Sequence, residues 1–322
     1  MRKINILSNV SNVRIDKFLA EEINIISRSK IKESIILKNV KVNGKNVKPS
    51  FKISSGEIIN IDLPSAETSL LKPEKINFQV IHEDNDIIVV NKPSNLVVHP
   101  GSGNKSGTLV NGLVYHFKKL SKINGQIRPG IVHRLDKNTT GIMIIAKNDF
   151  SHQFISHQFE KRTVSKKYVA LVWGLVKEDF GKIETSIVRD NKKRTLFKTG
   201  KNGRAALTEF KVLDRFENLT FLELKPKTGR THQIRVHMSS IGHPIFADVD
   251  YGGGIKKAKE FQPKISNYLI KLLKEINRQA LHAVSISFIH PKTKMRELFT
   301  VPIPYDISKI ISKLRLENES FE

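Results

Sequence analysis

The 322-residue chain contains no cysteine. That excludes disulfide bridges, thiolate nucleophiles and cysteine-held metal sites. No apolar run approaches the roughly 18 residues that a membrane-spanning helix needs, so no membrane partner is expected. The opening stretch, MRKINILSNVSNVRIDKFL, has neither a continuous apolar core nor a small-residue cleavage site, which points to a cytoplasmic protein. Negative charge is also scarce. Asp and Glu total 31 against 55 Lys and Arg, a formal charge of +24. Such an excess is the footprint of a polyanion binder, most often of nucleic acid. Its competing explanation is AT-rich coding, because Ile, Lys and Asn are abundant together. The length allows one large domain with a small appendage, or two domains.

Residues 13–62 read as one unit. Apolar residues at Ile15, Phe18, Leu19 and Ile23 have helical spacing. Ser27 is placed to cap a second helix, 28–38, with Ile31, Ile35 and Ile36 on one side. Arg28, Lys30 and Lys32 make that region basic. VKVNGKNV then predicts two strands about an Asn43-Gly44 turn. The pattern SRSKIKESI…KVNGK…GEIINI resembles the S4-type RNA-binding domain, which makes those three cations RNA-binding candidates. Residues 64–76, PSAETSLLKPEK and its continuation, read as a linker with two prolines and no period. Beyond it, strands and helices do not alternate regularly. The expected class is α+β with a largely antiparallel sheet. Residues 149–160 predict a helix with Phe150, Phe154, Ile155 and Phe159 inward. VSKKYVALVW and LTFLELK predict strands.

Three segments carry candidate chemistry. HRLDKNTTG (133–141) sets Asp136 between Arg134 and Lys137, on a polar turn flanked by two apolar runs read as buried strands. A lone loop aspartate is usually a turn former. Here nearby cations stabilise the charged carboxylate, and no second carboxylate in the segment supports a paired acid/base arrangement. A solitary aspartate among cations suits nucleophilic or electrostatic work at an electron-poor sugar carbon. TGRTHQIRVHMSSIGHP (228–244) follows a strand. Thr231 is read as a helix cap, Ile234, Met238 and Ile241 as the buried stripe, and Arg230 and Arg235 as reaching one site. His232, His237 and His243 lack metal-helix spacing, and no metal is assigned. In SKKYVALVWG, Tyr168, Ala170 and Val172 share a strand face, and Tyr168 is either a sheet-edge residue or a ring that stacks on a base. NKPSNLVVHPG and RQALHA read as structural when taken alone.

In this order the motifs closely resemble the RluA family of pseudouridine synthases, over roughly residues 77–305. The resemblance implies a pseudouridine synthase fold, with a mixed, largely antiparallel sheet and a central cleft. It divides the chain into an S4-type domain (1–63), a linker (64–76), a catalytic domain (77–305) and a C-terminal tail (306–322). Asp136 matches the essential aspartate, Tyr168 the active-site tyrosine and Arg235 the basic partner of the aspartate. Arg134 matches the arginine that enters the RNA stack when the target nucleotide flips out. Leu281 falls in the segment that walls the pocket. His133, Lys137, Arg230 and Gln233 join them as candidate RNA-binding residues. The reaction needs no cofactor or metal. The implied partner is ribosomal RNA or a large-subunit precursor particle, approached by a monomer. Two departures stand out. Thr140 replaces a common serine, and GHPIFADVDYGG lacks the usual Gly-Asp-Pro.

The loop HPGSGNKSGTLVNGL and the C-terminal segments most resemble the D-type large-subunit enzyme, which acts on helix 69 uridines. The C-type enzyme, with other large-subunit targets, is the alternative. A noncatalytic ribosome-assembly factor with a relict synthase domain would be expected to have lost Asp136, Tyr168 or Arg235. A basic nucleosidase would leave both the charge and the N-terminal domain unexplained.

Overall fold

The computed structural model describes residues 2–23, 28–63, 71–101, 103–125 and 127–319, and the chain divides into two units, residues 1–70 and 71–322. The first runs β1 (Arg2–Leu7), β2 (Val13–Arg14), α1 (Ile15–Glu22), α2 (Arg28–Ile36), β3 (Val40–Val42), β4 (Lys45–Asn46), β5 (Lys52–Ile53) and β6 (Ile58–Leu63). The expected apolar spacing builds its core. Ile15, Phe18 and Leu19 of α1 meet Ile31 and Ile35 of α2 over Val40, Val42, Ile59 and Ile61 of the sheet. The Asn43-Gly44 turn takes positive φ at both residues, as a tight hairpin turn requires. One strand lies before the expected unit: β1 pairs antiparallel with β6 from Arg2↔Leu63 to Leu7↔Ile58. Ile36 points outward instead of joining the core, and Ser27 lies outside the described residues.

The second unit runs β7 (Gln79–Glu83), β8 (Ile87–Lys92), α3 (Leu109–His116), β9 (Thr140–Ala146), α4 (Asp149–Glu160), β10 (Ser165–Trp173), β11 (Phe180–Arg189), β12 (Phe197–Thr199), β13 (Arg204–Arg215) and β14 (Leu219–Pro226). It continues through α5 (Gln233–Ser240), α6 (Ile255–Ala258), α7 (Pro263–Ile276), β15 (Leu281–Ile289), β16 (Arg296–Thr300) and α8 (Tyr305–Glu319). One ten-stranded sheet has the order β12-β11-β13-β14-β10-β15-β9-β8-β7, with β16 beside β15. Among the described residues only β9 and β15 pair in parallel, so the α+β, largely antiparallel class holds.

Several local expectations change. The apolar run before HRLDKNTTG is no strand; it contributes a single bridge, Ile131↔Ile145. The loop therefore has a rigid strand, β9, on one side only. In α4 the inward residues are Ser151, His152, Ile155 and Gln158, while Phe150 is 59% exposed. The reason is polar burial: the Ser151 hydroxyl donates to Asp86 at 2.7 Å, which turns that face inward. Lys294 lies over the outward Phe150 and Phe154 rings.

Within the expected linker, residues 64–70 lie outside the described residues. Residues 71–76 form no helix or strand but are anchored, with Leu71 and Ile76 packed on the core and the Asn111 side-chain amide donating to the Lys72 carbonyl at 2.9 Å. The expected C-terminal tail is instead the helix α8. Its Ile307, Ile310, Ile311 and Leu314 are buried with Leu269, Leu272 and Leu273 of α7, an amphipathic stripe that the sequence reading did not register.

Candidate active site

A cleft of about 530 Å³ opens where HRLDKNTT meets β10 and the start of α5. That volume suits a small organic group such as a nucleoside. Asp136, Tyr168, Arg235 and Leu281 all line it, although 99 residues separate Asp136 from Arg235 in the chain.

The Asp136 loop is held residue by residue. Arg278 donates to the Asn138 carbonyl at 3.4 Å, Gln279 donates to the Thr139 hydroxyl at 3.1 Å, and Thr140 hydrogen-bonds His282 at 2.8 Å. Gly141, at φ 118, then lies against the backbone of Ala283, and a Cβ there would collide with the Ala283 carbonyl. RQALHA, read as merely structural, is thus the splint of this loop. Arg278 is tied in turn to Asp306 of α8 at 2.6 and 2.8 Å. A second brace comes from Lys92 of NKPSNLVVHPG. Its fully buried ammonium group donates to the carbonyls of Pro93, Leu96 and Lys137 at 2.8, 2.9 and 3.0 Å. Burial pushes the Lys92 amine down to about 7, against the pull of Asp136.

Asp136 is 18% exposed, and its Oδ2 lies 3.3 Å from Arg235 Nη1. Arg235 projects from α5 and is almost fully buried. Its Nε and Nη2 bind Asp248 at 2.7 and 2.8 Å, Nη2 reaches Asp250 at 2.9 Å, and its guanidinium lies 4.7 Å from the centre of the Tyr251 ring. Burial alone would weaken the charge. The hydrogen bonds to Asp248, with the charges of Asp248 and Asp136, overcome it and raise the guanidinium above its ordinary range. The segment FADVDYGG, where the sequence departs from the family pattern, therefore supplies the groups that fix Arg235.

His232 completes the bracket. Its Nε2 lies 3.8 Å from Asp136 Oδ1, the other oxygen of the carboxylate. It adopts a left-handed backbone, φ 56, as the residue preceding α5. Thr231 was read as that cap. Instead the Gln233 side chain turns back, accepting from the Thr228 hydroxyl at 2.6 Å and the Arg230 amide at 3.0 Å. The other two histidines of this segment sit elsewhere, His237 on Thr208 and His243 on the Trp173 carbonyl. Ile241 is 39% exposed, so the buried stripe of α5 ends at Met238.

Tyr168 lines the same cleft, and burial and then the charge of Asp136 push its phenol up, so its hydroxyl stays protonated. Lys166 also lines the cleft, and burial brings its amine down to about 8. Sequence reasoning saw this lysine only as a neighbour of Tyr168.

The remaining candidates divide. Arg134 and Lys137 are exposed, and neither forms an ion pair with Asp136; the counter-charge comes from α5. Arg134 and Arg230 line the cleft, and Lys137 offers the loop only its backbone carbonyl. His133 stacks on Phe159 at 4.8 Å, its Nε2 accepts from the Ile144 amide at 2.9 Å, and burial drives it down to about 3. Gln233 uses its whole amide internally, since its Nε2 donates to Leu207 and Thr208, both at 3.0 Å. His133 and Gln233 also line the cleft, and the sequence alone could not separate side chains whose hydrogen bonds are already committed from those free to meet a ligand.

Residues 86–240 match the RNA pseudouridylate synthase family and residues 13–59 the S4 domain. An RNA pseudouridine synthase of Bacillus subtilis, YlyB, is 42% identical over 302 residues, 94% of each chain. One from Aquifex aeolicus is 46% identical over 304 residues, 94% of this chain and 93% of that one. The chain belongs to the RNA pseudouridine synthase family. The synthase is also 38% identical over 305 residues to the ribosomal large subunit pseudouridine synthase D of Pasteurella multocida, covering 94% of this chain and 92% of the other. Its fold is similar to that of human RNA pseudouridylate synthase domain containing 4, with a TM-score of 0.54 and 25% identity over 74% of this chain and 93% of that one.

In the S4 unit of the synthase, the candidate cations are partly committed. Arg28 Nη2 lies 3.0 Å and Lys32 Nζ 3.6 Å from the buried carboxylate of Asp16, which Arg14 also reaches at 2.9 Å. Burial opposes the Asp16 charge, but Arg14 and Arg28 hold it below the usual carboxylate range. Both Arg28 and Lys32 remain about half exposed, with donors left for a phosphate. The Lys30 side chain lies outside the described residues.

Proposed function

We propose that the synthase isomerises uridine to pseudouridine in large-subunit ribosomal RNA, at the uridines of helix 69, on free RNA or a precursor particle. The observation that carries the chemistry is one aspartate in a nucleoside-sized cleft, with a fixed guanidinium on one oxygen and an imidazole near the other. The ribosomal target is supported by likeness over nearly the full length to enzymes named for the large subunit. The narrower choice of helix 69 rests on the loop and C-terminal segments that resemble the D type.

The uracil cannot react within the RNA stack, so it is flipped into the cleft. Arg134, exposed on the rim, is placed to fill the gap left behind. The N1–C1′ bond then breaks with its electron pair on the uracil. The uracil turns, and C5 bonds to C1′ as the bond from Asp136 breaks or the 2′ proton returns. The C5 proton leaves and N1 takes one up, so the product is an isomer. Asp136 starts this by attacking C1′ or by removing the 2′ proton. Both routes use a carboxylate shielded from bulk water, with Arg235 balancing its charge. Tyr168, a protonated phenol against the cleft wall, holds the freed uracil, and Leu281 supplies apolar contact.

Tritium release from ribosomal RNA labelled at uridine C5 tests this. Wild type should release tritium, and Asp136→Asn should not, while still binding RNA within a few-fold of wild type. Release by the variant would remove Asp136 from the mechanism. No release from free RNA or immature large subunits would overturn the ribosomal target. Pseudouridine outside helix 69 would favour the specificity of the C-type enzyme.

A further inference from the structure

Beside the cleft lies a second, shallower hollow of about 450 Å³. The two share Gly229, Arg230 and Thr231, so a chain leaving one enters the other. Three arginines line the hollow: Arg189 at the end of β11, Arg204 at the start of β13, and Arg230 on the turn before α5. Among the described residues, no carboxylate forms an ion pair with any of them. Unpaired guanidinium groups converging on one hollow are unusual, because like charges repel unless an anion joins them.

Two of the three are held in place. The Arg189 guanidinium lies 5.2 Å from the centre of the Phe197 ring, and its Nη1 donates to the Arg194 carbonyl at 3.1 Å. Arg230 donates from Nε to the Ala205 carbonyl at 3.1 Å, which leaves its terminal nitrogens free. The acidic neighbour, Asp190, is occupied by the amides of Lys192 and Lys193 and by Lys198. It is therefore compensated and poses little barrier to an incoming anion. Phe197 adds an aromatic wall, suited to stacking a base.

We propose that this hollow is a phosphodiester subsite for the RNA strand that flanks the flipped uridine. A planar guanidinium fork binds a phosphate through two parallel hydrogen bonds, which a lysine cannot do. The subsite anchors the strand on one side of the reacting nucleotide while the nucleotide occupies the cleft. It rests on the reading of the cleft as an RNA-modifying site. It gives the RNA-binding candidate Arg230 a phosphate to hold and adds Arg189 and Arg204, which neither the motifs nor the family resemblance brought in.

The test measures equilibrium binding of a short oligouridylate, and of a large-subunit RNA transcript, across a salt series. Removing one phosphate-binding cation should reduce the slope of log K against log salt by about 0.7 for a single strand. Arg189→Gln with Arg204→Gln should therefore lower the slope by roughly 1.4 and weaken binding at least tenfold at low salt. Arg189→Lys should recover the slope but only part of the affinity. Lys264→Gln with Lys271→Gln, the same loss of two charges on α7, serves as the control and should change neither. An unchanged slope in the double variant, or an equal loss in the control, overturns the subsite. Binding is read without turnover. Absence of pseudouridine in the product would sink the reaction and leave this result standing on its own.

Discussion

The Tyr251 hydroxyl lies 2.7 Å from Nδ1 of His232 and also accepts the Phe197 amide at 3.0 Å. With one lone pair engaged by that amide, the phenol's own proton is free to go to Nδ1. The neutral imidazole then carries its proton on Nε2, the nitrogen that faces Asp136. Burial lowers the His232 pKa against the pull of Asp136, which favours the neutral form. One hydroxyl thus selects the tautomer that presents a donor to the aspartate. Tyr251→Phe should lower kcat roughly three- to tenfold, the worth of one hydrogen bond, with KM little changed. Nitrogen-15 shifts of the His232 ring provide the direct check. A wild-type ring protonated on Nδ1 would end this account.

Arg235 sits in a cluster that is stable only as a set. Removing one partner of a buried ion pair typically costs about 3–5 kcal/mol, because the other charge stays buried. Asp248→Asn removes the fully buried partner and should lower the unfolding free energy by about that amount, read as a shifted urea midpoint with an unchanged slope. A loss under about 1 kcal/mol would mean that Asp250 and Asp136 balance the guanidinium unaided.

Lys92 makes stability depend on pH in an alkaline window. Its amine is held at about 7 in the folded protein against 10.5 for an ordinary lysine. Between those values the unfolded chain binds a proton that the folded chain does not, so this group's contribution rises with pH. Below the window both states are protonated, and the burial penalty is complete. The stability difference between wild type and Lys92→Met, measured from pH 6.5 to 10.5, should shift steadily in favour of wild type. A flat difference would mean that the three carbonyls keep the ammonium charged throughout.

The C-terminal helix should matter for turnover as well as for packing. Asp306→Ala frees Arg278, whose Nη1 also supports the Asn138 carbonyl two residues from Asp136. The expected result is a several-fold fall in kcat with RNA affinity held within twofold. Equal falls in kcat and affinity would instead indicate general loosening of the fold. Ile310→Ala, at a fully buried position of the same helix, should cost about 2–5 kcal/mol of stability.

Much of the architecture could be read from local pattern. The helices α1, α2 and α4, the Asn43-Gly44 hairpin and the strands β10 and β14 follow from spacing and turn chemistry, which act within a few residues. The motif order also led to Asp136, Tyr168, Arg235 and Leu281, and the fold gathers them in one cleft. What was not legible depends on distant pairing. The grip of Arg278, Gln279 and His282 on Asn138, Thr139 and Thr140 spans some 140 residues and is set by the parallel register of β9 and β15. Gln233 and His133 look like ligand-facing polar groups in the sequence; both do line the cleft, but the Gln233 amide is fully engaged within the protein and His133 Nε2 is taken by the Ile144 amide. In α4, Phe150 was assigned to the core on hydrophobicity alone, although a buried Ser151–Asp86 bond rotates the helix the other way.

The position of β15 in the sheet has a consequence for synthesis. It lies between β9, which follows the Asp136 loop, and β10, which carries Tyr168. Neither neighbour pairs with the other without it. A growing polypeptide therefore cannot join the Asp136 loop to the Tyr168 strand through this sheet until β15 has been translated, and α8 must still emerge to secure Arg278. The meeting of these two segments thus waits on β15, as a property of strand order.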